Sequence, residues 1–311
     1  MLHRRLALID MGTNTFHLLI VELADDGRTA PRTLLRTKVG VRLGEGGISA
    51  GRIAEPAYER ALHALLGFRE EIELHQVNDV RATATSAMRV TENGPALVKD
   101  IFEQTGIRVE VIGGDREAEL ICAGVRQAVP LGPECHLIMD IGGGSVEFIL
   151  ANDTTIFWKR SFEIGAQRLL DKFFPEPSGI MPAEAIVAEQ QYLAETLAPL
   201  AAALAEFPPV SLIGASGSFD SLADMQLGQL RTEAELPPST ELALGSFRHS
   251  YNQLLSLNHE QRKALPGILP MRADMLVVAS VLIDYVLQLT GLTRIRTSAY
   301  ALKEGLLAEM L

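Results

Sequence analysis

Short apolar, β-branched runs separated by turn formers open the chain: "LALID" (6–10), "FHLLIVEL" (16–23) and "TLLRTKVGVRL" (33–43). Their lengths and the Asp, Asn and Gly residues that bound them predict three strands. Beyond the glycine-rich "GEGGISAG" (44–51) the spacing lengthens to a helical one, from Ile53 to Leu74. A strand "VRATAT" (80–85), a helix from Pro95 to Gln104, a strand "IRVEVI" (107–112) and a helix from Asp115 to Ala128 follow. An antiparallel start that passes into β-α-β units predicts a mixed α/β domain.

The pattern then restarts. "HLIMDIGGGSVEFILAND" (136–153) and "TIFWKRSFEIG" (155–165) lead into helices as far as Phe207 and then into "VSLIGASGS" (210–218). A shift of 130 positions lays Asp10 on Asp140, Gly12 on Gly142 and Thr15 on Ser145. The same shift lays Thr85 and Ser86 on Ala215 and Ser216. Two separate stretches that agree on one offset predict a duplicated α/β domain. The expected division is residues 1–125 and 126–311, with the last helix, 300–311, packing back on the first half.

Composition narrows the class. Of 311 residues, 47% are hydrophobic and 5% aromatic, enough for an ordinary buried core. The two cysteines, Cys122 and Cys135, lack metal-ligand spacing and fit a reducing cytoplasm. The apolar run after Arg5 is broken by Asp10, Asn14 and His17 before it reaches spanning length, and the apolar stretch 275–292 contains Asp284 and reads as a buried helix. A net charge of −11 argues against nucleic-acid or anionic-membrane partners, so a polyanionic ligand must meet a local basic patch.

The paired turns carry the candidate chemistry. In a turn of the form D-x-G-T/G-N/G-T/S, small residues let successive backbone N–H groups converge into a nest for phosphate oxygens. Gly12, Thr13, Asn14 and Thr15 form the first such turn, and Gly142, Gly143, Gly144 and Ser145 the second. The aspartates, unable to bind phosphate directly, can hold a divalent cation or its waters. The competing reading of either turn alone is a tight hairpin that uses glycine for φ > 0. Gly214, Ser216 and Gly217 form a further candidate donor loop, and the planar fork of Arg89 suits phosphate oxygens.

The set "DMGTNTFHLLI", "VRLGEG", "ATSAMR", "VIGGDREAELICAGV", "DIGGGSVEF", "GASGSFDSL" and "SAYALKEGLL" resembles, in order and spacing, the exopolyphosphatase/guanosine pentaphosphate phosphatase (Ppx/GppA) family across residues 6–307. The resemblance implies two duplicated actin-like (ribonuclease H-like) domains with a cleft between them. It places the family's phosphate-binding turns on residues 10–15 and 140–145 and its catalytic glutamate on Glu117, the expected general base. The family motif usually reads S-G-x-E-E-A-R, whereas here Arg116 takes the acidic position before Glu117 and Glu119 that of the arginine. Arg42 is a second phosphate-binding candidate because the resemblance sets its strand end beside the cleft. Asp140 and Glu147, with Asp10 as the symmetric partner, are the expected Mg²⁺ ligands.

The expected activity is Mg²⁺-dependent release of terminal phosphate from inorganic polyphosphate in the cytoplasm. Hydrolysis of guanosine pentaphosphate is the alternative within the family, and a non-catalytic actin-like phosphate or nucleotide sensor is the alternative outside it. A homodimer is compatible with either enzyme. Long members of the family that the chain resembles continue into a helical C-terminal region, so a preference for short polyphosphates, with the shortened chain released after few cleavages, is expected. The histidines, Met271, Met275 and Trp158 read as structural.

Overall fold

The computed structural model describes residues 4–24, 31–232 and 235–311. The first half contains β1 (Arg4–Met11), β2 (Phe16–Leu23), β3 (Arg32–Val39), α1 (Glu55–Leu74), β4 (Asp79–Ala84), α2 (Ser86–Val90), α3 (Gly94–Thr105), β5 (Val109–Val111) and α4 (Gly114–Ala128). The second contains β6 (His136–Ile141), β7 (Val146–Ala151), β8 (Ile156–Phe162), α5 (Ala166–Phe173), α6 (Ala183–Thr196), α7 (Ala198–Glu206), β9 (Leu212–Ala215), α8 (Ser216–Leu227), β10 (Ser239–Leu242), α9 (Leu244–Ser256), α10 (His259–Lys263), α11 (Met275–Thr290), β11 (Ile295–Ser298) and α12 (Leu302–Met310).

The strands form two sheets, ordered β3-β2-β1-β4-β5 and β10-β11-β9-β6-β7-β8. In each, three antiparallel strands (β1–β3, β6–β8) begin the sheet, and the first of them pairs in parallel with the strand after the crossover, β4 or β9. The duplication is thus one of topology, and the fold is two actin-like α/β domains. The parallel ladders differ in register: Asp10 lies opposite Thr83, whereas Asp140 lies opposite Ala215. The helices that follow nevertheless start at the equivalent Ser86 and Ser216.

Both faces of each sheet are covered, so the central strands are apolar throughout rather than alternating. In β1, Ala7, Ile9 and Met11 join a core with α1 and α3, while Leu6 and Leu8 turn to the other face and meet Leu306, Leu307 and Met310 of α12. The inner residues of α4, among them Ile121, Cys122 and Val125, pack with Ile138, Ile149 and Ile213 of the second sheet. The last helix therefore covers the first sheet, and the helix from the first half covers the second. The two cross at Gly124 and Gly305, where an added Cβ would run into the backbone of Ala301 or Leu120.

The apolar stretch 275–292 is largely α11, a helix of the second core with twelve buried residues among Met275–Thr290. Among the described residues, no helix is long and apolar enough to cross a membrane.

Candidate active site

The turns β1–β2 and β6–β7 face each other across one cavity, lined by Asp10, residues 12–15, Glu117, Asp140, residues 142–145, Glu147, Ser216 and Gly217. The two turns close alike: the Gly12 amide donates to the Thr15 carbonyl (3.2 Å) and that of Gly142 to the Ser145 carbonyl (3.0 Å). Five further carbonyls are taken by neighbouring amides. Thr13 and Asn14 accept from the amides of Gly44 (3.2 Å) and Arg42 (2.8 Å), and Gly142, Gly143 and Gly144 accept from Ala166, Gln167 and Gly165 at the start of α5.

Peptide planarity then fixes the donors. In a trans peptide the carbonyl of one residue and the N–H of the next point in opposite directions. The N–H groups of Asn14, Thr15, Gly143, Gly144 and Ser145 therefore turn away from these partners, toward the cavity their residues line. The glycines are not there for φ > 0, since Gly12 and residues 142–144 all lie outside the positive-φ set. They are there for space. A Cβ on Gly143 would lie 2.5 Å from the Asn14 amide group, and one on Gly144 would lie 2.7 Å from Thr13 Oγ1.

Antiparallel pairing sets the carboxylates. Asp140 stands directly opposite Glu147, and Asp10 opposite His17, so each pair shares one face of its sheet. His17 occupies, by the 130-residue offset, the place that Glu147 holds in the second half. Burial pushes Asp10 up to about 7 and Asp140 up to about 6, and it holds Glu147 well above the usual carboxylate range with help from the charges of Glu117 and Asp140. Burial, reinforced by Lys303, keeps the His17 imidazole neutral. Ser161 Oγ donates to Glu147 (2.6 Å), and the Ser216 hydroxyl donates to Asp140 from a residue held at φ 67°.

Glu117 enters from the first turn of α4 and is 6% exposed. Burial raises it to about 7, against the opposing pull of Arg89, whose Nη1 donates to Glu117 Oε2 at 2.9 Å. Arg89 itself lies outside the cavity lining and reaches the site through Glu117. The two residues that depart from the family motif pair with each other: Arg116 meets Glu119 (3.6 Å) and also Glu309 of α12, while Glu119 meets Lys159 of β8 (2.8 Å). The exchanged charges tie α4 to α12 and β8.

Two further sequence candidates stand apart from the cavity, as Arg89 does. Arg42 sits at φ 49° with its guanidinium on Glu45 (3.3 Å), and only its amide serves the first turn. Gly214 lies within β9, where the missing Cβ makes room for the Phe219 ring. Several cavity residues escaped the sequence reading. Met271 and Met275, expected as packing, line the cavity, as do His17, Thr85 and Arg272. Arg272 Nη1 donates to the Gly217 carbonyl (2.9 Å) and brings a cation to the wall. The offset that matched Asp10 to Asp140 would have found His17, but nothing local in the sequence marks Arg272.

Several proteins of known structure resemble the chain. An exopolyphosphatase from Cytophaga hutchinsonii matches with a TM-score of 0.92 and 45% identity, over 99% of this chain and 97% of that one. The Aquifex aeolicus member of the Ppx/GppA family shares the fold at 22% identity (TM-score 0.79, 99% and 97% covered). A nucleoside triphosphate hydrolase from Neospora caninum shares it more distantly, at 11% identity (TM-score 0.50, 98% and 92% covered). The family model for Ppx/GppA phosphatases matches residues 20–311, and with that span the chain belongs to the Ppx/GppA phosphatase family.

Proposed function

We propose that the protein is an exopolyphosphatase that hydrolyses the terminal phosphoanhydride of inorganic polyphosphate and releases orthophosphate. The observation that carries this reading is the opposed pair of turns lining one cavity with Glu117, toward which peptide planarity directs five backbone N–H groups. A terminal phosphoryl group held by these donors has its charge stabilised where it accumulates as the anhydride opens. Glu117, with a carboxyl raised to about 7, is matched to take a proton from water near neutral pH. Water oxygen bonds to the terminal phosphorus, the bridging P–O bond breaks toward the shortened chain, and the water proton passes to Glu117.

The site also fits a divalent cation. Asp140 and Glu147 are buried oxygen donors and Asp10 a half-buried one, all three raised by desolvation, and Asn14 Oδ1 is buried without a partner. Among the described residues no three His, Cys, Asp or Glu side chains form a ready metal cluster, and Mg²⁺ needs none, since it takes one or two carboxylates and fills its shell with water and phosphate oxygens. Asp140 and Glu147, with Asp10 across the cleft, would hold it. When bound, it supplies charge neutralisation at the phosphate oxygens.

Phosphate release from polyphosphates of defined length, guanosine pentaphosphate and ATP, each with and without Mg²⁺, tests the proposal. Release from polyphosphate is the expected result. Release from guanosine pentaphosphate alone would replace the substrate, and no release from any of them would point to a sensor.

A further inference from the structure

Glu163, just beyond β8, belongs to the second domain, yet its carboxylate is held mainly by the first. Its Oε1 accepts from Arg89 Nη2 (3.0 Å), and its Oε2 accepts from Ser86 Oγ (2.5 Å), both on α2. On its own side it meets Arg168 Nη2 (3.4 Å), and Arg168 Nε in turn donates to the Gly144 carbonyl of the second turn (3.0 Å). Arg89 spends its other terminal nitrogen, Nη1, on the Ile112 carbonyl (3.0 Å) and on Glu117 (2.9 Å). The Arg89 guanidinium is thus stretched between one carboxylate that faces the cavity and one that does not.

We infer that Glu163 is a positioning residue: by holding Arg89 from the opposite domain, it fixes the orientation of the Glu117 carboxylate when the two domains are together. The inference rests on the reading of Glu117 as the base. A guanidinium is planar, and its two terminal nitrogens are rigidly related, so anchoring Nη2 sets where Nη1 can donate. Without the anchor, Arg89 is held through Nη1 alone, by the Ile112 carbonyl and by Glu117 itself, and its guanidinium can swing about that nitrogen and carry the Glu117 carboxylate with it. The donors of the two turns do not depend on Glu163 except through Arg168, which keeps its bond to Gly144. Loss of the anchor therefore disturbs the reacting geometry more than phosphate binding.

The test is a double-mutant cycle on polyphosphate hydrolysis with Mg²⁺ present, using Glu163→Gln, Arg89→Ala and the pair, with Glu117→Gln alongside. Glu163→Gln should lower kcat by about 10- to 100-fold while KM stays within about twofold, the signature of misplacement rather than lost binding. In the Arg89→Ala background the same change should have no further effect on kcat. An equal loss in both backgrounds, or an unchanged kcat in Glu163→Gln, would overturn the inference. If Glu163→Gln fails to fold, Glu163→Asp serves in its place: the charge stays but the shorter arm loses Arg89, and kcat should fall with the same non-additivity. The base reading is judged separately by Glu117→Gln, whose full activity would remove it while leaving the coupling of Glu163 to Arg89 measurable.

Discussion

Gly143 and Asn14 occupy the same strip of space from opposite domains: a Cβ on the glycine would lie 2.5 Å from three atoms of the asparagine side chain. Here the second domain presents bare backbone to a side chain of the first. Gly143→Ala should push the turns apart and cost about 1–3 kcal/mol of stability, as overpacking does at close contacts. Because the two residues forced apart, Asn14 and Gly143, each carry a backbone phosphate donor, kcat/KM should fall by at least tenfold. Thermal melts with steady-state kinetics measure both, and wild-type kinetics in the mutant would show that the turns need not touch.

Glu117→Gln keeps the shape of the side chain and removes its proton affinity. Turnover of polyphosphate should drop by about 10²–10⁴-fold with substrate binding preserved. Binding is read by equilibrium titration and turnover by phosphate release, and near-normal turnover in a folded mutant excludes Glu117 as the base.

Asp140→Asn should raise the Mg²⁺ concentration needed for half-maximal activity and leave the fold intact. A carboxamide is a poorer ligand for a hard cation at nearly the same volume. An unchanged Mg²⁺ requirement would remove Asp140 from the ion.

Glu189 supplies a pH test remote from the cleft. It is fully buried in α6, both its oxygens lack a partner, and burial pushes it up to about 9. Between its ordinary range and that value the folded protein keeps a proton that the unfolded chain has lost, so stability falls as pH rises. Glu189→Gln has no such slope. Its melting temperature should gain on the wild type steadily from pH 5 to pH 9, at up to about 1.4 kcal/mol per pH unit in the equivalent free energy. Parallel melting curves across that range would show that Glu189 finds a partner when ionised.

The strands and the paired turns were legible because their signals are local: period-two apolar runs and small residues at fixed steps. The reason for the glycines was not legible, since Gly143 and Gly144 answer to residues of another domain rather than to their own φ. Helix α2 has five residues, too few to display a period, so its role in carrying Arg89 toward Glu117 stayed hidden. Arg272 reaches the cavity from a segment whose sequence gives no hint of it. The charge exchange at Arg116 and Glu119 was visible at once, but its partners Glu309 and Lys159 come from elements far along the chain.

The crossing of α4 and α12 has a kinetic consequence. The side chains that cover Leu6 and Leu8, those of Leu306 and Leu307, follow them by roughly 300 positions. During synthesis the outer face of the first sheet stays bare until α12 has left the ribosome, and its completion waits on the second domain. Refolding should accordingly show a slow phase in which α12 docks, and a chaperone able to shield an apolar sheet face should shorten the delay lost to aggregation.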